Sequence, residues 1–159
     1  DYEVAALTIF GGLIGNVAEH SKSPIAGFSG LQKYKGRRSH IQTVVSDSGL
    51  GIAATLRPAL KDHYPALHRK YGERGVESDI GLVTEALLRG KVSRSGKGHG
   101  LGFYSSKEQA FKYRAKFAVR QETFCVTFEY REGQIVRTAY YTDVEPLLGT
   151  HICFDFYVD

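Results

Sequence analysis

The chain has 159 residues, 42% of them hydrophobic and 24% charged, with 21 Lys and Arg against 17 Asp and Glu. That length gives one domain with a core of its own, that balance excludes a disordered chain, and no apolar run reaches the roughly 18 residues of a bilayer-spanning helix. Two cysteines are too few for a disulfide framework and the six His are scattered, so Cys125 and Cys153 are expected as reduced strand thiols and the compartment as cytoplasmic. There is no Met, even at position 1, and a chain that begins at Asp1 is expected to be a piece of a longer or processed protein.

In chain order, the spacing of Val4, Leu7, Phe10, Ile14 and Val17 predicts a helix over 4–20, with Asn16, Glu19 and His20 together on its polar face. Gly11, Gly12 and Gly15 each cost such a helix up to about 1 kcal/mol relative to Ala, which points to close packing or an approaching ligand. Residues 28–35 and 40–46 read as strands around the turn Lys35-Gly36-Arg37-Arg38. The stripe Leu56, Leu60, Tyr64, Leu67 and Tyr71 predicts one helix over 53–71 with Pro58 near its start. Ile80, Val83 and Leu87 predict a shorter helix over 79–89, closed by Gly90.

A basic, glycine-rich stretch follows over 91–102, then an expected helix over about 103–116. Phe124, Val126, Phe128 and Tyr130 alternate as a strand, Glu132-Gly133 turns, and Ile135 starts the return. Ile152, Phe154, Phe156 and Val158 alternate again. Helices early and strands late fit an α+β two-layer sandwich on a mixed, mostly antiparallel sheet, in a single domain over 1–159.

Three separated features carry the chemistry. Gly96-Lys97-Gly98-His99-Gly100-Leu101-Gly102 opens an expected helix, where backbone N–H groups can approach an anion and Lys91, Arg94, Lys97 and His99 add positive charge. It is neither a Walker loop nor a Rossmann fingerprint, and alone it also reads as a solvated connector. Asp47-Ser48-Gly49-Leu50-Gly51 ends an apolar strand with a carboxylate able to accept from an exocyclic amine such as that of adenine, although alone it is an ordinary turn sequence. Asn16 offers an amide oxygen suited to Mg2+.

Together these resemble the GHKL ATPases, the ATP-binding domain shared by gyrase, a heat-shock chaperone, histidine kinases and MutL. Leu13-Ile14-Gly15-Asn16-Val17-Ala18-Glu19-His20-Ser21 is similar to the N box, and Val45-Ser46-Asp47-Ser48-Gly49-Leu50-Gly51-Ile52 to the first glycine box. Gly98-His99-Gly100-Leu101-Gly102 is similar to the second glycine box, and Gly149-Thr150 to the final motif. The four boxes run in the family's order over nearly the whole chain, and the Glu-His-Ser ending is nearest the histidine-kinase and anti-sigma-factor kinase branch.

The resemblance implies a Bergerat-type fold with an ATP lid over about 53–97, and ATP and Mg2+ as ligands. It implies that Asn16 coordinates Mg2+, Asp47 binds the adenine amine, and Gly49 and Gly51 shape the base pocket. It implies that Gly98, Gly100, Gly102 and Leu101 embrace the phosphates with Lys97 and His99 as lid contacts, and that Thr150 supports the adenine end.

One position departs from the pattern. The family's Glu four residues before the N-box Asn is Gly12 here, and a glycine cannot serve as general base. The expected function is an Mg-ATP-binding catalytic domain that presents the γ-phosphate to a His outside this chain. The alternative is an ATP-gated regulatory module, anti-sigma-like, with little turnover. Partners are then a phosphoacceptor or regulated protein and a second copy joined through an upstream region, without membrane contact. A nucleic-acid role would rest on the cluster Lys33 to Arg38, which reads more simply as a solvated hairpin turn.

Overall fold

The computed structural model of the chain describes residues 2–20, 23–89, 92–93 and 113–157, leaving aside the side chains of residues 2 and 16–20. Its helices are α1 (Tyr2–His20), α2 (Ile52–His63), α3 (Pro65–Tyr71) and α4 (Val76–Arg89). Its strands are β1 (Phe28–Tyr34), β2 (His40–Ser46), β3 (Ala115–Glu122), β4 (Phe124–Arg131), β5 (Gln134–Tyr141) and β6 (Leu147–Tyr157). The strands form one six-stranded sheet in the order β1-β2-β6-β3-β4-β5. Every neighbouring pair is antiparallel, so among the described residues the sheet expected to be mixed has no parallel pair. The fold is α+β, a helical layer on a sheet.

Side chains alternate between the two faces of each strand, and the register stacks the inward ones into rungs. One rung holds Ile41, Phe156, Ala115 and Tyr130, and the next Thr43, Phe154, Phe117 and Phe128. The third holds Val45, Ile152, Val119 and Val126. All twelve are buried. Phe117 stacks on Phe154 at 4.2 Å between ring centroids, and Phe154 stacks on Phe156 at 5.6 Å. Such pairs add about 0.5–1.5 kcal/mol each beyond the area they bury. The opposite face carries a row of alternating charge through Asp155, Lys116, Glu129 and Arg137, with Gln42 Nε2 donating to Asp155 Oδ1 at 2.7 Å.

Helix α1 packs on β2, but not by the stripe its spacing predicts. Ala5, Ala6, Ile9 and Leu13 are buried, whereas Val4 and Leu7 are 60% and 59% exposed and Ile14 is 39% exposed. The helix is apolar nearly all round, so periodicity alone cannot choose a face. The two alanines let the helix axis lie close to the sheet.

The single helix expected over 53–71 is two helices. Pro65 drives Tyr64 out of the helical region, to φ −139 and ψ 64, and ends α2 there. Pro58 sits inside α2 rather than in its first turn. Arg57 rejoins the pieces: its Nε donates to Tyr71 O at 3.1 Å, and its Nη2 donates to Ser78 Oγ at 3.2 Å and pairs with Asp79. Within its described part the stretch expected as a lid is these three helices, and Ala53, Leu56, Leu60, Leu82 and Val83 bury their inner faces in the common core.

The helix expected over 103–116 is corrected at its end. Ala115 and Lys116 already belong to β3, a strand the periodicity missed, while residues 103–112 lie outside the described residues. The expected terminal strand begins earlier, at Leu147, and its Val158 lies outside the described residues. Among the described residues no helix is long and apolar enough to cross a membrane.

Two predictions follow from this packing. Thr43 is fully buried between Ile41 and Val45 in the inward row, and its hydroxyl has no partner among the described residues. Thr43→Val is expected to raise stability by about 1 kcal/mol in urea unfolding, because an unpaired buried hydroxyl only costs; a loss would show that the hydroxyl is bonded.

Burial pushes the Cys153 thiol from its ordinary 9.0 up to about 11, and the Tyr130 hydroxyl from 10.0 to about 12. The folded state therefore holds these protons longer than the unfolded chain does. Their contribution is complete below the ordinary values and is lost as pH rises toward the folded ones. The urea midpoint should fall from pH 9 upward, and Cys153→Ala should flatten the part between 9 and 11.

Candidate functional site

The inward row of β2 runs Ile41, Thr43, Val45 and then, one residue past the strand, Asp47. The alternation that buries the apolar three also buries this carboxylate, which is 6% exposed. Asp47 N–H donates to Thr150 O at 2.9 Å, continuing the β2–β6 ladder by one bond. Thr150 lies inward on β6, and its register partner on β3 is Gln121. Gln121 is 2% exposed, and its Nε2 donates to Thr150 Oγ1 at 2.8 Å. The sheet's apolar face thus ends in a mostly polar rung, Asp47, Thr150 and Gln121, with Phe124 beside Gln121 on β4.

The loop after Asp47 closes on this rung. Asp47 Oδ1 accepts from Gly49 N–H at 2.7 Å, a side-chain-to-backbone turn that orients the carboxylate. Among the described residues no partner is recorded for its other oxygen. Gly51 has φ +80 and presents its bare α-carbon to Gln121; a β-carbon there would stand 3.1 Å from Nε2. Helix α2 starts at the next residue. Gly149 has φ +94, and a β-carbon on it would lie 1.9 Å from Asp47 O, inside the neighbouring strand's backbone.

Of the residues expected at a nucleotide site, the structure therefore brings Asp47, Gly49, Gly51 and Thr150 together, although they lie about a hundred positions apart in the chain. Asn16 lies in α1. Lys33 Nζ pairs with Glu3 Oε1 at 3.1 Å and pins the start of that helix beside Lys33, the register partner of Ile41. From Glu3 to Asn16 the helix rises about 20 Å. From Ile41 to Asp47 the strand rises about 20 Å as well. The helix packs on β2. The Asn16 side chain, and Lys97, Gly98, His99, Gly100, Leu101 and Gly102, lie outside what the structure describes, as do Lys91 and Arg94.

Gln121 is the residue that sequence reasoning missed. Its signal was present as the alternation Ala115, Phe117, Val119, Gln121, hidden by the expectation of a helix running to 116. A separate depression of about 170 Å³ lies at the opposite end of the sheet, beside Arg38, Arg114, Lys116 and Tyr157, and holds none of the motif residues. Lys35 to Arg38 are exposed on the β1–β2 turn.

No protein-family model matches the chain, and no curated protein is similar enough to match it. The functional reading therefore rests on the motifs and on this geometry.

Gly149→Ala tests the arrangement directly. The added methyl meets both a disfavoured φ and the Asp47 backbone, so a loss of about 3 kcal/mol or more is expected in urea unfolding. Wild-type stability would show that the two strands do not meet in this way.

Proposed function

We propose that the chain binds Mg-ATP as the catalytic domain of a histidine-kinase-like protein and presents the γ-phosphate to a His on another segment or protein. The observation that carries this reading is the Asp47 carboxylate, buried at the end of β2, held by Gly49 N–H through one oxygen and with no recorded partner among the described residues for the other. An acceptor fixed in that way suits an exocyclic amine, and the Thr150 hydroxyl lies on the same rung. Gly51, with its bare α-carbon against the Gln121 amide, turns the chain into α2 beside them. The glycine-rich run Gly98 to Gly102 would receive the phosphates. By the sequence pattern, Asn16 would supply an oxygen ligand to Mg2+.

In this reading the protein contributes position and electrostatics, and the chemistry of transfer belongs to the phosphoryl group and the accepting imidazole. Gly12 favours a second reading, a regulatory module that grips a partner when ATP is bound and turns over little. A glycine at that place offers no base to a water or a hydroxyl, whereas an accepting His needs none. Partner proteins in a cytoplasmic signalling assembly belong to either version of the proposal.

Asp47→Asn keeps an oxygen for Gly49 N–H but puts an amide donor or a weaker acceptor before the base. Calorimetric titration should show ADP affinity reduced tenfold or more, about 1.4 kcal/mol. Equal affinities would remove Asp47 from the site, and no ADP binding by the wild type at millimolar concentration would end the adenine reading. Transfer of labelled phosphate to a co-encoded protein separates the kinase from the regulatory module.

A further inference from the structure

Gln121 is not itself among the residues expected to meet a ligand, but it lies against two that are, Thr150 and Gly51. Its position still decides what Thr150 can do. A threonine hydroxyl has one proton and two lone pairs, and its proton rotates to suit its surroundings. Here a buried amide donates to Oγ1 at 2.8 Å, so one lone pair is taken and the proton is turned away from Gln121. Among the described residues no acceptor is recorded for that proton. The neighbouring Asp47 has a carboxylate oxygen in the same condition, its Oδ1 being engaged by Gly49 N–H. The rung therefore offers an acceptor at Asp47 beside a donor at Thr150.

An acceptor beside a donor is the complement of one purine edge and the opposite of another. Adenine presents an amine donor at N6 next to an acceptor at N1. Guanine presents an acceptor at O6 next to a donor at N1, and would meet like with like at both places. If the amide of Gln121 were absent, the Thr150 hydroxyl could serve as donor or acceptor, and the second half of this code would be lost. Nearby structure holds Gln121 in place: Thr150 lies opposite it on β6, and Gly51 presses its bare α-carbon against the amide.

We propose that Gln121 is a positioning residue that sets the base preference of the site, by donating into Thr150 Oγ1 and so aiming that hydroxyl's proton at a ring-nitrogen acceptor of the base. The proposal rests on the adenine-nucleotide reading above.

The test compares ADP with its 1-deaza analogue, in which C–H replaces N1 while the N6 amine is kept, by titration calorimetry on the wild type and on Gln121→Met. Methionine keeps the length and volume of glutamine and removes the donor. The wild type should prefer ADP about tenfold, the worth of one buried hydrogen bond. In Gln121→Met the preference should shrink to about threefold or less. A merely structural role would weaken both ligands equally and leave their ratio unchanged, and that result overturns the proposal. Thermal melts report whether the variant folds. Should it not, Thr150→Val takes its place: loss of the preference supports the proposal, and a retained tenfold preference overturns it. Wild-type protein that binds neither ligand would overturn the adenine reading and this inference with it, whereas binding with an unchanged ratio overturns the inference alone.

Discussion

At Gly149 the backbones of β2 and β6 approach so closely that a β-carbon would stand 1.9 Å from Asp47 O. Because that space is empty of side chain, Asp47 N–H can reach Thr150 O and extend the ladder past the formal end of β2. That one added bond places the aspartate on the same rung as Thr150 and, through the register of β3, as Gln121. If the strands were wedged apart here, each of the three side chains would survive in the sequence, yet they would no longer face a common space. The site depends on a close backbone contact more than on any residue that a ligand would touch.

The cost of the arrangement is visible in the composition of the rungs. Three consist almost wholly of aliphatic and aromatic side chains, with the stacked pair Phe117 and Phe154 at their centre. The fourth is mostly polar, and burial of polar groups is unfavourable unless each finds a partner. Gln121 donates to Thr150 and Gly49 N–H donates to Asp47, and among the described residues the Thr150 proton and the second Asp47 oxygen have no partner. A sheet selected for stability alone would end this face in another apolar rung. Rigid packing below and unfilled bonding capacity above is the usual division of labour between a scaffold and a binding site.

Much of this could be read from sequence, and the exceptions have physical reasons. The two hairpin turns, the alternations in β2, β4 and β6, and helix α4 all carry strong period signals and lie near where those signals place them. Helix α1 was placed correctly but faced wrongly, because with apolar residues on every side the choice of face is made by how near the sheet can come, and alanine decides that. The break at Tyr64 was legible in Pro65 and was overridden by an uninterrupted apolar stripe. Strand β3 was missed because the expected helix ran into its first two residues, Ala115 and Lys116. What joins Asp47 to Thr150 could be suggested by motif order, but the contact itself is a matter of long-range register, which no local pattern encodes.

The strand order adds a consequence in time. During synthesis the hairpin β1–β2 and the meander β3–β4–β5 are both complete before Leu147–Tyr157 is made, and they have no edge in common. Strand β6 is inserted between them and bonds to both. Until it arrives, two exposed sheet edges wait on the nascent chain, with half of the aromatic ladder on one and none on the other. A chain released before Leu147 would carry the Asp47 turn and the Gln121 strand as separate pieces, so that the join between the two halves of the sheet and the polar rung come from the same strand.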